Sequence, residues 1–165
     1  MPKYDAATAE CRVFTFKEGL LSAVAHDLEI EVTRFTIDVT EDGSAVKGVF
    51  DATSLRVIDA MANGRRNPGA LSDKDKRKIE GNIVSEVLSA KKHPEVRFES
   101  TEVTDTLVRG RLAIGGRSRD VRLTREGDTA RVTLHQPDFG IKPYSAMLGT
   151  LKIKPEVEVR VTLRG

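Results

Sequence analysis

The 165-residue chain has no tryptophan and one cysteine, Cys11. An intrachain disulfide is therefore excluded, as is a metal site built from several cysteines, and Cys11 reads as a small apolar filler in the first strand. Neither sign of charge dominates. The 27 Lys and Arg residues against 25 Asp and Glu leave a formal charge of +2, too weak a field to argue for nucleic acid. No run approaches the roughly 18 consecutive apolar residues of a membrane helix, so stable membrane insertion is not expected. Met1 to Glu10 holds no apolar stretch of signal-peptide length, from which a cytoplasmic location is expected. A Gly-x-Ser-x-Gly elbow, a phosphate loop and a dinucleotide glycine pattern are all missing. The three histidines, His26, His93 and His135, lack metal-ligand spacing. The sequence thus predicts no catalytic residue, no metal and no cofactor.

What the chain has is alternation of apolar and polar residues, and a strand turns successive side chains to opposite faces. Alternating segments span 11–17, 25–32, 34–40, 45–52, 95–104, 107–114, 119–125, 129–135 and 150–163. The last is the clearest: Leu151, Ile153, Val157, Val159, Val161 and Leu163 share one parity, while Lys152, Lys154, Glu156, Glu158 and Arg160 share the other. One face meets a core and the other meets water. Pro155 falls on the apolar parity and cannot donate to a ladder, which predicts a bulge, bend or edge. Leu28, Ile30 and Val32 are inward on even numbers, whereas Phe35, Ile37 and Val39 are inward on odd ones. A corner or bulge is required near Thr33 and Arg34. Gly115-Gly116, between Ile114 and Val121, reads as a hairpin turn.

One segment breaks this rhythm. Ser72 reads as an N-cap with Asp73 and Asp75 in the first turn, and Ile79, Ile83 and Val87 recur at spacing four beside Val84 and Leu88. Lys91, Lys92 and His93 close the helix before Pro94, and Gly81 is a weak point within it. Residues 62–70, with Gly64, Pro68 and Gly69, read as a mobile loop. Many strands and one helix predict an all-β fold, a single closed antiparallel β-barrel of about eight strands with an amphipathic helix capping one end, in one domain over 1–165. Such a barrel is either filled by its own side chains or holds one elongated ligand. The pattern leaves both open.

Five segments, in order along the chain, resemble the YceI-like family. They are Val13-Phe14-Thr15-Phe16-Lys17; Ser44-Ala45-Val46 leading to Asp51-Ala52-Thr53-Ser54-Leu55; Lys92-His93-Pro94-Glu95-Val96-Arg97-Phe98-Glu99-Ser100; Val108-Arg109-Gly110-Arg111-Leu112-Ala113-Ile114-Gly115-Gly116; and Asp138-Phe139-Gly140-Ile141 with Leu148-Gly149. The resemblance implies a lipocalin-like barrel with a helix over one end, often a homodimer. Its apolar cavity would bind a polyisoprenoid or another amphiphilic small molecule and catalyse nothing. The alternative is a filled barrel that works through its surface or a dimer interface. The chain departs from the family pattern at Glu18, where histidine is common, and at Lys76-Arg77-Lys78-Ile79, where an Arg-Asp pair followed by His-Leu is usual.

The cavity reading nominates Phe14, Phe16, Phe35, Phe50, Phe98 and Phe139 as lining, with Leu28, Ile30 and Ile141, although the same residues would serve a plain core. Phe14 and Phe16 share one parity of the first strand, Cys11 and Val13 the other, and both faces are partly apolar. The inner face is open at this point. His26 shares parity with Val24 and Leu28, so it either meets a ligand oxygen near the mouth or is a hydrogen-bonded core histidine. Asp27 points the other way and cannot form a dyad with it. Arg109, Arg111, Arg117, Arg119, Arg122 and Arg125 gather around the Gly115-Gly116 turn. They read as a dock for an anionic head group or membrane surface, or as a solvated outer face, which the shared odd parity of the first four favours.

Overall fold

Alternation becomes one antiparallel sheet in the computed structural model, which describes residues 2–18, 26–146 and 151–164. Strands β1 (Lys3–Tyr4), β2 (Ala9–Lys17) and β3 (Asp27–Val32) lead to a corner and β4 (Phe35–Val39). The chain returns along β5 (Val46–Asp51), turns a second corner into β6 (Leu55–Ala62) and adds β7 (Arg65–Arg66). After α1 (Asp73–Asn82) come β8 (Glu95–Val103), β9 (Leu107–Ile114), β10 (Arg117–Glu126) and β11 (Thr129–His135). A 3₁₀ turn (Gln136–Phe139), β12 (Ser145–Ala146) and β13 (Leu151–Leu163) complete the chain. Val24, the pair Leu148-Gly149, and residues 25 and 150 of two expected strands lie outside the described residues.

The expected closed barrel of eight strands is corrected. The hydrogen-bonded order is β1, β4, β5, β8, β9, β10, β11, β13, β2, β3, β6, β7, an open path of twelve strands curled into a half-barrel. Its two ends, β1 and β7, are two residues long and are not paired with each other among the described residues. Edges this short offer little template for a foreign strand. The strand count rises because two arms turn a shared corner: Thr33 N–H donates to Ser54 O at 3.0 Å, and Asp51 N–H donates to Arg34 O at 2.9 Å. Beyond the corner β4 pairs with β5, and before it β3 pairs with β6. The parity slip at Thr33 and Arg34 is this corner. Strand β6 escapes the alternation test because its register shifts opposite Glu29 and Ile30, moving the inward phase from Val57 to Ala60.

Two other local expectations meet their cause. The register of β13 on β2 shifts between Ile153 and Val157, around Pro155, and Gly115 and Gly116 close the β9–β10 turn with φ of 60° and 81°. Residues 62–70 hold a small hairpin, with β7 paired to the end of β6 across Asn63 and Gly64, where a bare loop was expected.

The helix begins as its sequence requires. Asp75 N–H donates to Ser72 Oγ at 3.1 Å, and the Asp75 carboxylate accepts from Ser72 N–H at 3.5 Å, a reciprocal capping box. Its expected extension to His93 is corrected: α-geometry stops at Asn82, and Ile83–Val87 forms a π turn in which Leu88 N–H reaches back to Ile83 O at 2.9 Å. The Ser85 hydroxyl donates to Gly81 O at 2.7 Å, and such back-bonding competes with the regular ladder. Ile79 and Ile83 pack against Leu28, Ile30 and Val57. Lys76 ties the helix to Asp59 of β6 at 3.1 Å. Among the described residues no helix is long and apolar enough to cross a membrane.

A candidate binding cavity

The apolar interior divides into three clusters, centred on Cys11 and Phe35, on Ile30, and on Leu112 and Phe139. They stay separate because the middle of the half-barrel is hollow. A cavity of about 790 Å³ lies between them, within the roughly 300–1,000 Å³ usual for small-molecule sites. Its wall explains a pattern of burial. Val13, Val96, Val132, Val157, Val159 and Val161 all face inward, yet they are only half-buried. Their side chains are turned to the hollow, where a filled barrel would have buried them against each other.

Two glycines keep the hollow open. A Cβ on Gly110 would fall 2.6 Å from the Phe98 ring and against the Glu99 carbonyl oxygen, and one on Gly48 would fall 2.7 Å from the Phe50 ring. Each ring therefore lies along the wall above a bare backbone position.

Of the nominated residues, His26, Leu28, Ile30, Phe50, Phe98 and Ile141 are on the cavity wall. The other four are not, and their nomination as lining is corrected. Strand β2 turns Cys11, Val13 and Thr15 to the cavity, so the opposite parity carries Phe14 and Phe16 outward. Phe14 is nevertheless buried, beneath the Arg160 guanidinium. Phe35 sits behind the wall and stacks on Phe50 with ring centres 5.7 Å apart, and Phe139 packs into the Leu112–Leu134 cluster.

Polar groups lie at both ends of the wall: Thr15, His26, Asp75, Lys78, Asn82, Gln136 and Tyr144 where α1 approaches the sheet, and Arg125, Asp128 and Thr129 around the β10–β11 turn. Asn82 Nδ2 donates to the Tyr144 hydroxyl at 3.3 Å, and Gln136 Nε2 donates to Lys154 O at 3.0 Å. Thr15 Oγ1 is buried with no hydrogen-bond partner among the described residues, and a desolvated hydroxyl left unpaired costs roughly 1–3 kcal/mol. His26 is half-buried on the cavity wall and makes no hydrogen bond among the described residues. Lys78, one of the residues that depart from the family pattern, is exposed at this end of the cavity. Asn82 and Tyr144 carry no periodic signal that sequence reasoning could have used; they meet across 62 positions of chain. At the opposite end Arg125 donates to the carbonyls of Gly127 and Thr104 at 3.1 and 3.0 Å, which satisfies its charge locally.

The outer face of the same wall is electrostatically ordered. Glu29 accepts from Arg66 at 2.7 and 3.2 Å and lies 3.4 Å from Arg12. The Arg66 hydrogen bonds, opposed by burial and helped by the charges of Arg66, Arg12 and Arg160, hold the Glu29 carboxyl below the ordinary glutamate range. Inside, burial pushes the Cys11 thiol up to about 12, against a smaller lowering by Arg12. Among the described residues no group of three His, Cys, Asp or Glu side chains is placed to hold a metal ion.

The YceI-like domain family matches residues 4–164 of the chain. Three solved structures share the fold. The Burkholderia cenocepacia protein BcnA aligns with a TM-score of 0.66 at 14% identity, covering 96% of this chain and 97% of that one. A polyisoprenoid binding domain from Saccharophagus degradans, implicated in plant cell wall breakdown, aligns at 0.61 with 12% identity over 98% of this chain and 94% of that one. The Campylobacter jejuni YCEI protein aligns at 0.57 with 11% identity over 82% of each chain. Among curated proteins none matches the sequence.

Proposed function

Because the chain belongs to the YceI-like domain family, we propose that it binds one amphiphilic lipid of isoprenoid type in its cavity and performs no chemistry on it. The observation that carries this reading is the hollow of about 790 Å³ walled by aliphatic and phenylalanine side chains. Removing an apolar chain from water contributes about 25 cal/mol per Å² of surface buried, and a preformed wall keeps the ordering cost of binding low. The polar groups near α1 suit a head group with oxygen atoms: the Thr15 hydroxyl has no partner among the described residues, and the His26 imidazole lies on the same wall. In this reading His26, Leu28, Ile30, Phe50, Phe98 and Ile141 contact the ligand.

The same likeness favours a passive carrier over an enzyme. Acid–base catalysis at His26 would need a convergent partner within hydrogen-bond reach, and none is paired with it among the described residues. The alternative of a filled barrel acting through its surface is disfavoured by the half-buried valines of the wall. A homodimer belongs to the same proposal, and light scattering tests it.

Lipid extraction from the purified protein, followed by mass spectrometry, is the direct test. The expected result is a co-purifying amphiphile with a long apolar chain, present at up to one per protein. Protein that elutes empty and takes up no long isoprenoid from solution overturns the reading.

A further inference from the structure

Three segments meet at one rim of the cavity. They are the chain leaving the π turn, the β9–β10 turn, and the stretch after the 3₁₀ turn. Their contact is direct: a Cβ on Gly116 would lie 3.3 Å from the His93 ring, and one on Gly140 would lie 2.7 Å from Arg117 Nε. Each segment carries an apolar residue of the cavity wall, respectively Leu88, Ile114 and Ile141. Each also carries cations just beyond it: Lys91 and Lys92, Arg117 and Arg119, and Lys142. All five are exposed, and none makes an ion pair among the described residues.

The nearby acids do not cancel them. Asp120 is taken by Arg111 at 3.0 Å, whereas Asp138 meets His135 at 3.4 Å, a contact that neutralises it only when the imidazole is protonated; Asp138 and Glu86 are thus two exposed carboxylates set against five cations. Parity alone places Arg117 and Arg119 with Arg109 and Arg111 on the solvated outer face. The structure separates the two pairs. On β10 the residues of odd number that follow, Val121, Leu123 and Arg125, line the cavity, whereas Arg109 and Arg111 of β9 flank the inward Gly110 from the outer side. Arg117 and Arg119 therefore belong to the cavity side of the sheet, at its rim.

We infer that this rim docks the protein on an anionic lipid bilayer, with Lys91, Lys92, Arg117, Arg119 and Lys142 facing the phosphates. The choice of a bilayer over another polyanion rests on the amphiphile reading above. Cations that ring the start of an apolar wall place the headgroup layer beside the path a lipid chain would take. A nucleic acid duplex supplies phosphate but nothing for Leu88, Ile114 and Ile141 to meet. Each cation near an anionic surface raises partitioning by about fivefold, and the attraction weakens as salt shortens the screening length.

Co-sedimentation of the full chain with vesicles of phosphatidylcholine, with and without phosphatidylglycerol, tests the inference. Binding to the anionic vesicles in low salt is expected, with loss in high salt and little binding to phosphatidylcholine alone. Lys91→Gln combined with Lys92→Gln should lower partitioning by about 25-fold. Arg109→Gln with Arg122→Gln removes the same charge from an exposed cross-strand pair away from the rim and should change binding by less than about twofold. Equal binding to both vesicle types overturns the docking surface, as does equal loss in the two double variants. Displacement from vesicles by DNA duplex at matched phosphate concentration overturns the choice of a bilayer. Uptake of a long apolar fluorophore in the absence of vesicles keeps the two readings apart. Protein that takes up the fluorophore but ignores anionic vesicles overturns docking alone, and protein that docks but excludes such probes overturns the cavity reading alone.

Discussion

The guanidinium of Arg160 lies 4.6 Å from the centre of the Phe14 ring, on the face of the sheet turned away from the cavity. Arg160 is paired in register with Arg12, and Phe14 with Glu29, so the ring is set into a patch of charge. Phe14→Leu removes the cation–π contact and part of the buried ring, at a cost of about 1–2 kcal/mol. Uptake of an apolar fluorophore should be unchanged, because the side chain does not reach the wall. Urea denaturation reads the first effect and fluorescence titration the second; weakened uptake in a stably folded variant contradicts the outward assignment.

Glu29 gives the fold a specific acid sensitivity. Its carboxyl is held below its ordinary value near 4.5, first by the Arg66 hydrogen bonds. A depressed folded-state value means that the unfolded chain takes up the proton first as pH falls. The stabilisation is therefore complete above the ordinary value and is lost progressively below it, through the lower folded-state value. Glu29→Gln should cost about 1–3 kcal/mol at neutral pH, and the gap from the parent should narrow as pH drops below that ordinary value. Denaturation midpoints measured from neutral to acid pH check this. A gap that stays constant assigns the cost to packing.

Parity made the strands legible, including the corner after Val32 and the bulge around Pro155, because a two-residue period survives wherever one face meets water. It failed where a register shift breaks the period. Strand β6 slips phase between Val57 and Ala60, and nothing in composition marks that slip. It also could not choose the inner face of β2, since Phe14 and Phe16 compete with Cys11 and Val13 in apolarity. Three-dimensional closure made the choice: Cys11, Val13 and Thr15 face the hollow. Closure itself was over-read. Nine alternating segments suggest a ring, whereas the corner bonds between Thr33 and Ser54 and between Arg34 and Asp51 divert the ladder into an open path. The polar end of the cavity joins residues as distant as Asn82 and Tyr144, and no local pattern records such a pairing.

Gly110 and Gly48 should respond unequally to alanine. The new Cβ at Gly110 meets both the Phe98 ring and a fixed backbone oxygen, that of Glu99, while at Gly48 it meets only the Phe50 ring. A ring can rotate away and a strand backbone cannot. Gly110→Ala should cost about 1–3 kcal/mol and reduce fluorophore uptake by pushing Phe98 into the hollow. Gly48→Ala should cost less. Thermal denaturation orders the two, and a more damaging Gly48→Ala contradicts the wall geometry.

Cys11 faces the cavity but is buried, and its thiol is pushed up to about 12 from an ordinary 9.0. Only the thiolate attacks an alkylating reagent, so the raised value leaves far less of the reactive form at neutral pH than in the unfolded chain. Iodoacetamide should modify the denatured protein quickly and the native protein at a rate limited by opening. Mass spectrometry of a time course reads both rates. Comparable rates in the two states contradict the burial of this thiol.

The Asn82–Tyr144 hydrogen bond joins the last turn of α1 to the chain that follows the 3₁₀ turn, and both residues are on the wall. If an amphiphile enters and leaves at this end, the two segments must part, and the bond resists that movement. Tyr144→Phe keeps the ring and removes the hydroxyl. Losing one neutral hydrogen bond of about 1 kcal/mol corresponds to roughly a fivefold faster release of a bound fluorophore. Stopped-flow displacement measures that rate, and urea denaturation shows whether global stability has changed with it. Faster release at nearly constant stability makes the pair a latch on the cavity, whereas unchanged release moves the exit away from α1.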